Sequence, residues 1–271
     1  MPGQYDSYAD GTIAADTSAL PSPLLWSKVD AELERPGKWM HQWEDFHDMS
    51  YTETLPTTVD PWMGMRVFTS AGATLLQADE EGGVRTLVEA TDNEGLSIAK
   101  GIYPFKMIQN AGELVFEARI KRANITAVFG FFLGLIEDVA MTATTPIAAA
   151  GTLANQNLVG FFQPEDDPDG VDAVHQANDG GVITTIDNAA TLVADNYAKL
   201  GMVFNRGGDN KLDYYVNAQK GATSVAVPSA AGTTFPNDVR LGWVFALLNG
   251  AGQALSASID WIRVAQRRVT L

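Results

Sequence analysis

The chain has no cysteine, three histidines and little more than half as many basic as acidic residues: 18 Lys and Arg against 33 Asp and Glu over 271 residues, a net charge of −15. Without cysteine there are no disulfides, thiolate nucleophiles or thiolate metal sites, and the redox compartment is left open. The excess of acid makes nucleic acid and anionic membrane surfaces poor direct partners. Apolar runs are interrupted by charge, Gly or Pro well before the ~18 residues of a membrane span. The opening MPGQYDSYADGT has neither a basic nor an apolar leader region, so no secretory signal is expected, and the chain reads as a soluble protein made in a cytoplasm. His41 and His47 flank Trp-Glu-Asp-Phe at no zinc spacing, His175 stands alone, and no H-E-x-x-H occurs; ordinary strand-edge histidines are expected. G-x-S-x-G, Walker and G-x-G-x-x-G patterns are also missing, and no cofactor is expected.

What is present falls into two textures. Residues 1–37 are small, polar and punctuated by Gly and Pro, and read as an extended arm leading into a short helix. Ser22 can cap that helix, Pro23 suits its first position, and Leu25, Val29 and Leu33 recur at helical spacing with Trp26 beside them. Pro36-Gly37 ends it. So short a helix is marginal alone, so its stripe must dock. It docks either on its own domain or on a neighbouring subunit. The polar arm before it, which gains little by folding back, favours the neighbour. Leu25, Trp26, Val29 and Leu33 are therefore the candidate interface residues, with a dimer or trimer expected.

Residues 38–271 form the second unit, a succession of short aromatic and β-branched segments bounded by Gly, Asn, Asp or Pro. About fourteen strands at such spacing predict an antiparallel sandwich or barrel. Asp79–Gly83 and Arg206–Asn210 supply the turns. In ELVFEARIK, Leu114, Phe116, Ala118 and Ile120 mark a core face, and Glu113, Val115, Glu117, Arg119 and Lys121 a largely wet one. In LSASIDWIRVAQRR, simple alternation puts Ile259, Trp261 and Arg263 on one face and Ile262 and Val264 on the other. The Ala/Thr-rich stretch Ala140–Gln156 reads as a long loop, covering a sheet edge or offering a contact surface.

AGELVFEARIKRANITAVFGFFLGLIE resembles the paired core strands of concanavalin A-like jelly rolls, the group of legume lectins, laminin G-like modules and family 16 glucanases. NYAKLGMVFNRGGDNKLDYYVNAQ resembles their hairpin, and ASIDWIRVAQRR their closing strand. HQWEDFHDM, with Trp43, Asp45 and Phe46, looks like the opening strand that pairs with it. The resemblance implies an all-β antiparallel jelly-roll sandwich over roughly residues 40–268, preceded by the arm and helix. Within the group, the acidic, cysteine-free makeup and the arm look most like structural proteins of tailed-phage virions.

The chemistry of a family 16 glucanase is not legible. Such an enzyme carries Glu-x-Asp-x-x-Glu or Glu-x-Asp-x-Glu, because retaining hydrolysis needs an acid and a nucleophile ~5 Å apart. The matching region, GLIEDVAM, has adjacent Glu137 and Asp138, which point to opposite faces of a strand. The acidic loop from Glu165 to Asp172 has oxygen ligands but no EF-hand spacing, and reads as solvated. Arg263, Arg267 and Arg268 form a basic cluster, either solvated or a patch for an acidic neighbour. Trp26, Trp39, Trp43 and Trp62 crowd the first quarter as core, helix-docking or anchor residues.

These features imply a non-enzymatic virion protein that decorates or cements a phage capsid. Its expected partners are the major capsid protein or another virion protein, and copies of itself. The alternative is a lectin-like module in which Trp243, Tyr214 and Tyr215 stack on sugar rings.

Overall fold

Alternation builds the two layers. Phe129, Phe131, Leu133 and Leu135 point one way from their strand, and Phe132 and Ile136 the other, all fully or almost fully buried. The computed structural model describes residues 15–33, 37–46, 59–62, 65–70, 73–78, 84–88, 91–123, 129–138, 142, 145–148, 151–165, 167, 170–178, 181–229, 234–237, 239–250 and 255–269. A helix α1 (Pro23–Leu33) precedes the strands β1 (Trp39–Glu44), β2 (Val59–Trp62), β3 (Met65–Thr69), β4 (Ala73–Ala78), β5 (Val84–Val88), β6 (Gly95–Lys100), β7 (Leu114–Arg122) and β8 (Phe129–Glu137). There follow β9 (Leu158–Gln163), β10 (Gly170–Gln176), β11 (Ile183–Thr191), β12 (Ala198–Phe204), β13 (Lys211–Val216), β14 (Gln219–Ala226), β15 (Leu241–Asn249) and β16 (Leu255–Arg267).

The strands form two antiparallel sheets. The first runs β14-β13-β12-β7-β16-β5-β4, with β1 also on β16; the second runs β11-β10-β9-β8-β15-β6-β3-β2. One edge of β16 pairs along β7, and the other is shared: Leu255–Ile259 lie against β5 and Ile262–Arg267 against β1. The closing strand thus lies beside the opening one. Between the sheets, Leu114, Phe116, Leu200, Met202, Ile259 and Val264 meet Phe131, Leu133, Phe161, Trp243 and Phe245 in one core. The β12–β13 turn follows the Gly/Asn pattern: Asn205, Gly207, Gly208 and Asn210 all have positive φ. The turn expected at Asp79–Gly83 lies outside the described residues.

Three local expectations are corrected. A bulge between Ile259 and Trp261 resets the alternation of β16, so Ile259, Ile262 and Val264 all enter the core while Trp261 faces away. The second face of β7 is dry rather than wet: Val115 is 0 % exposed and Glu117 1 %. The described part of the 140–156 stretch covers a face rather than an edge. Ile147 and Leu153 pack on Phe132, Ile136, Phe162 and Val174, the outer side of the second sheet.

Candidate functional site

The outer side of the first sheet carries an unusual row. Tyr215, Gly201, Glu117, Arg263 and Trp43 lie in register across β13, β12, β7, β16 and β1. A carboxylate and a guanidinium in the middle of a sheet cannot be left dry and unpaired, and the N-terminal segment supplies their partners. Ser22 donates from its backbone amide (2.9 Å) and hydroxyl (2.5 Å) to Glu117, and the Trp26 indole adds a third bond at 2.8 Å. Burial nevertheless holds the Glu117 carboxyl above its usual range, against the pull of these donors and of Lys199. Arg263 is sandwiched, its guanidinium carbon 4.1 Å from the Trp26 ring and 4.5 Å from that of Trp43. It also pairs with Asp30 and donates to His41 Nε2 at 3.0 Å.

The segment ahead of the helix is fastened in the same way. Lys199, almost fully buried, pairs with Asp16 at 2.7 Å and donates to the Leu20 carbonyl at 3.0 Å. The Trp261 indole donates to the Ala19 carbonyl at 2.8 Å. Beside these polar ties, Leu25, Trp26 and Val29 bury against Val115, Val203, Tyr215 and Ala265, with Leu33 packed at the margin.

The predicted interface is therefore corrected. Leu25, Trp26, Val29 and Leu33 dock on their own sheet, because its outer side presents a matching apolar patch beside a carboxylate in need of donors. The sugar-stacking candidates are corrected too. Trp243 is a core residue edge-on to Phe46 at 6.4 Å. Tyr214 is buried edge-on to Phe161, its hydroxyl donating to the Val174 carbonyl at 2.8 Å. Tyr215 lies under the helix, 4 % exposed. Of the early tryptophans, Trp26 and Trp39 serve helix docking and Trp43 is 46 % exposed; the side chain of Trp62 lies outside the described residues. Sequence reasoning missed Glu117, Lys199 and Arg263 as the centre of this face. The only signal was charge on a strand otherwise patterned for burial.

A polar cavity of about 420 Å³ opens where the arm meets the β11–β12 turn, lined by Thr17, Arg119, Asp195, Asn196, Tyr197 and Asn217. The Arg119 guanidinium lies 3.7 Å over the Tyr197 ring and pairs with Asp260 at 2.6 Å. Asp260 is the bulged residue of β16, which the sequence pattern did not reveal. The hydrogen-bonding side chains of this lining match the hydroxyls of a polyhydroxylated ligand.

Elsewhere the chemistry is sparse. Glu137 accepts two bonds from Asn157, at 3.0 and 2.8 Å. Asp172 has its pKa raised by burial, with Asp187 and Asp167 adding to the effect against a bond from the Asn188 amide. Among the described residues, no group of three His, Asp or Glu side chains could hold a metal ion, and no helix is long and apolar enough to cross a membrane.

No protein-family model and no curated protein matches the chain. Solved structures do. A peanut lectin with a bound nonamer peptide is 10% identical with a TM-score of 0.55, covering 86% of this chain and 100% of its own. The CBM2 module of the evolved Dit of Lactobacillus casei BL23 phage J-1 is 14% identical with a TM-score of 0.54, covering 86% and 98%. A GH16 protein of the Bacteroides ovatus mixed linkage glucan PUL, in complex with a product, is 12% identical with a TM-score of 0.53, covering 82% and 99%. At these identities the likeness is one of fold: the chain is a concanavalin A-like jelly-roll sandwich.

Proposed function

We propose that this chain is a non-enzymatic structural protein of a tailed-phage particle, decorating or cementing the capsid surface after synthesis in the host cytoplasm. The observation that carries this reading is that the chain itself packs over the central strands on the outer side of each sheet. Residues of the N-terminal segment lie over the first sheet, and Ile147 and Leu153 over the second. A sandwich that covers the middle of its own faces leaves its edges and ends for neighbours. The expected neighbours are the major capsid protein, another virion protein or further copies of the chain. The likeness to a module of a phage protein agrees with this reading, as do the acidic charge, which opposes self-aggregation, and the lack of cysteine. With residues 15–33 fastened down, attachment falls to sheet edges and ends rather than to the helix.

A second reading has its own observation. The cavity at Asp195, Asn196 and Tyr197 suits a glycan, and a particle protein that binds host or environmental glycans would combine both roles. Immunogold electron microscopy of purified particles should label the shell. Particles that contain the chain only inside, or lack it, overturn the first reading. A glycan array should show ligands lost in an Asp195→Ala/Asn196→Ala variant; a blank array removes the second reading and leaves the first untouched.

A further inference from the structure

The basic cluster read from the sequence divides in the fold. Arg263 is consumed under the helix, whereas Arg267 and Arg268 are exposed at the far end of β16. There they border an open groove of about 550 Å³ with Lys106 on the other wall. In a chain with 33 acidic and 18 basic residues, cations readily find partners. Lys28, Lys38, Lys100, Lys199, Arg119 and Arg263 all do. Among the described residues, the side chains of Lys106, Arg267 and Arg268 make no ion pair or hydrogen bond. The groove between them is apolar, with Met40 half-buried, Ile108 40 % exposed and Val269 51 % exposed.

Its walls are held in place. Gln266 is 4 % exposed. Its amide accepts from Lys106 N at 2.9 Å and donates to the Gly112 carbonyl at 3.2 Å, clasping the β6–β7 connection to β16. At Gly112 a Cβ would stand 1.7 Å from the Arg267 carbonyl oxygen, so only glycine permits this approach. The groove is therefore preformed and need not pay ordering entropy on binding.

We propose that this end of the molecule docks an acidic segment of a partner protein that carries a large apolar side chain. The apolar anchor fills the space over Met40, Ile108 and Val269, and its carboxylates meet the three free cations. Charge complementarity selects this occupant. Two whole copies, each carrying −15, repel one another at long range, as the chain repels nucleic acid, whereas a short segment brings only a few carboxylates into that field and can place them on the groove's cations. The groove would serve such a partner on a particle or off it, so its test is independent of the particle reading.

The test is fluorescence anisotropy of the intact chain with a short labelled peptide of Asp and Glu around a central Leu-Phe pair. Binding is expected, weakened steeply by added salt. It should be weaker by about tenfold or more in Arg267→Ala/Arg268→Ala and in Lys106→Glu, whose exposed side chains leave folding unchanged by circular dichroism. Ile108→Ser should weaken it at constant salt dependence. No binding, or equal binding by all variants, overturns the proposal. So does equal affinity for polyglutamate, which lacks the anchor, or a preference for single-stranded DNA of matched charge. Self-association of the wild type that the same substitutions abolish overturns it in favour of a second copy.

Discussion

His41 and His175 are the residues whose chemistry departs furthest from their sequence appearance. Burial brings His175 down to about 4, with its Nδ1 3.0 Å from the Thr185 hydroxyl. Burial and the adjacent Arg263 cation bring His41 to about 4, against the opposing pull of Asp30. Both have an ordinary value of 6.5 once unfolded. Between about pH 6.5 and about 4 the unfolded chain therefore binds protons that the folded chain refuses. Their contribution to stability is complete above that window and is lost as pH falls through it. Glu117 has the opposite sign, because its raised value lets the folded form take up a proton first. A melting temperature measured by scanning calorimetry should thus decline from about pH 6.5 to about 4.5, and His175→Gln should flatten the decline. A melting temperature constant across that range, or a His175→Gln variant with an unchanged slope, would contradict the assignment. Residue roles were the least legible part of the sequence. Trp243, Tyr214 and Tyr215 sit on strands whose positions, Lys211 aside, are all buried or half-buried, so alternation gave no sign of which face a sugar could reach.

At the scale of elements, α1 shows how a docking surface hides in a sequence. Its stripe at Leu25, Val29 and Leu33 was legible, and so was the need for it to pack. Its receptor was not, because that patch comes from Val115, Val203, Tyr215 and Ala265 on four different strands and exists only after the sheet has assembled. The helix and the described residues just ahead of it, from Asp16 on, are part of the domain's stability, not a removable tether. Trp26 fills the space between Glu117 and Arg263 and satisfies one of the carboxylate's bonds. Trp26→Ala should cost about 3–5 kcal/mol in urea unfolding, from cavity and lost bond together. Deleting residues 1–33 should go further. It bares an apolar patch beside an unpartnered carboxylate and Lys199, so the truncated chain should melt lower and bind a hydrophobic dye such as ANS. A truncated chain with an unchanged unfolding midpoint and no dye binding would show that the segment adds nothing to the fold.

At the scale of the whole molecule, the last described strand is the keystone of the first sheet. The Ile-Asp-Trp-Ile-Arg-Val pattern marked it as a closing strand, and that much was readable; its division between two partners on one edge was not, because the bulge at Asp260 has no sequence signature. β16 holds β7 along its length, β5 at one end and β1 at the other, joining the first and last described strands through Trp39 and Arg267. It also delivers Ile259, Ile262 and Val264 to the core, each fully buried. At about 1.5–3 kcal/mol per buried side chain, these three alone contribute roughly 5–9 kcal/mol. That is comparable with the whole net stability of a domain, about 5–15 kcal/mol. The pairing of β1 with β16 is also the most distant in sequence, so its loop-closure cost must be met before the sheet repays it. The first sheet therefore cannot complete until β16 is available, and folding should be slow, on the order of milliseconds to seconds or longer. A chain stopped at Gly250 should show no cooperative urea transition by circular dichroism and should be digested rapidly by protease, whereas the intact chain unfolds in a single step. A truncated chain that unfolds cooperatively with near-normal stability would mean that β7, β5 and β1 find other partners, and the keystone role of β16 would be lost.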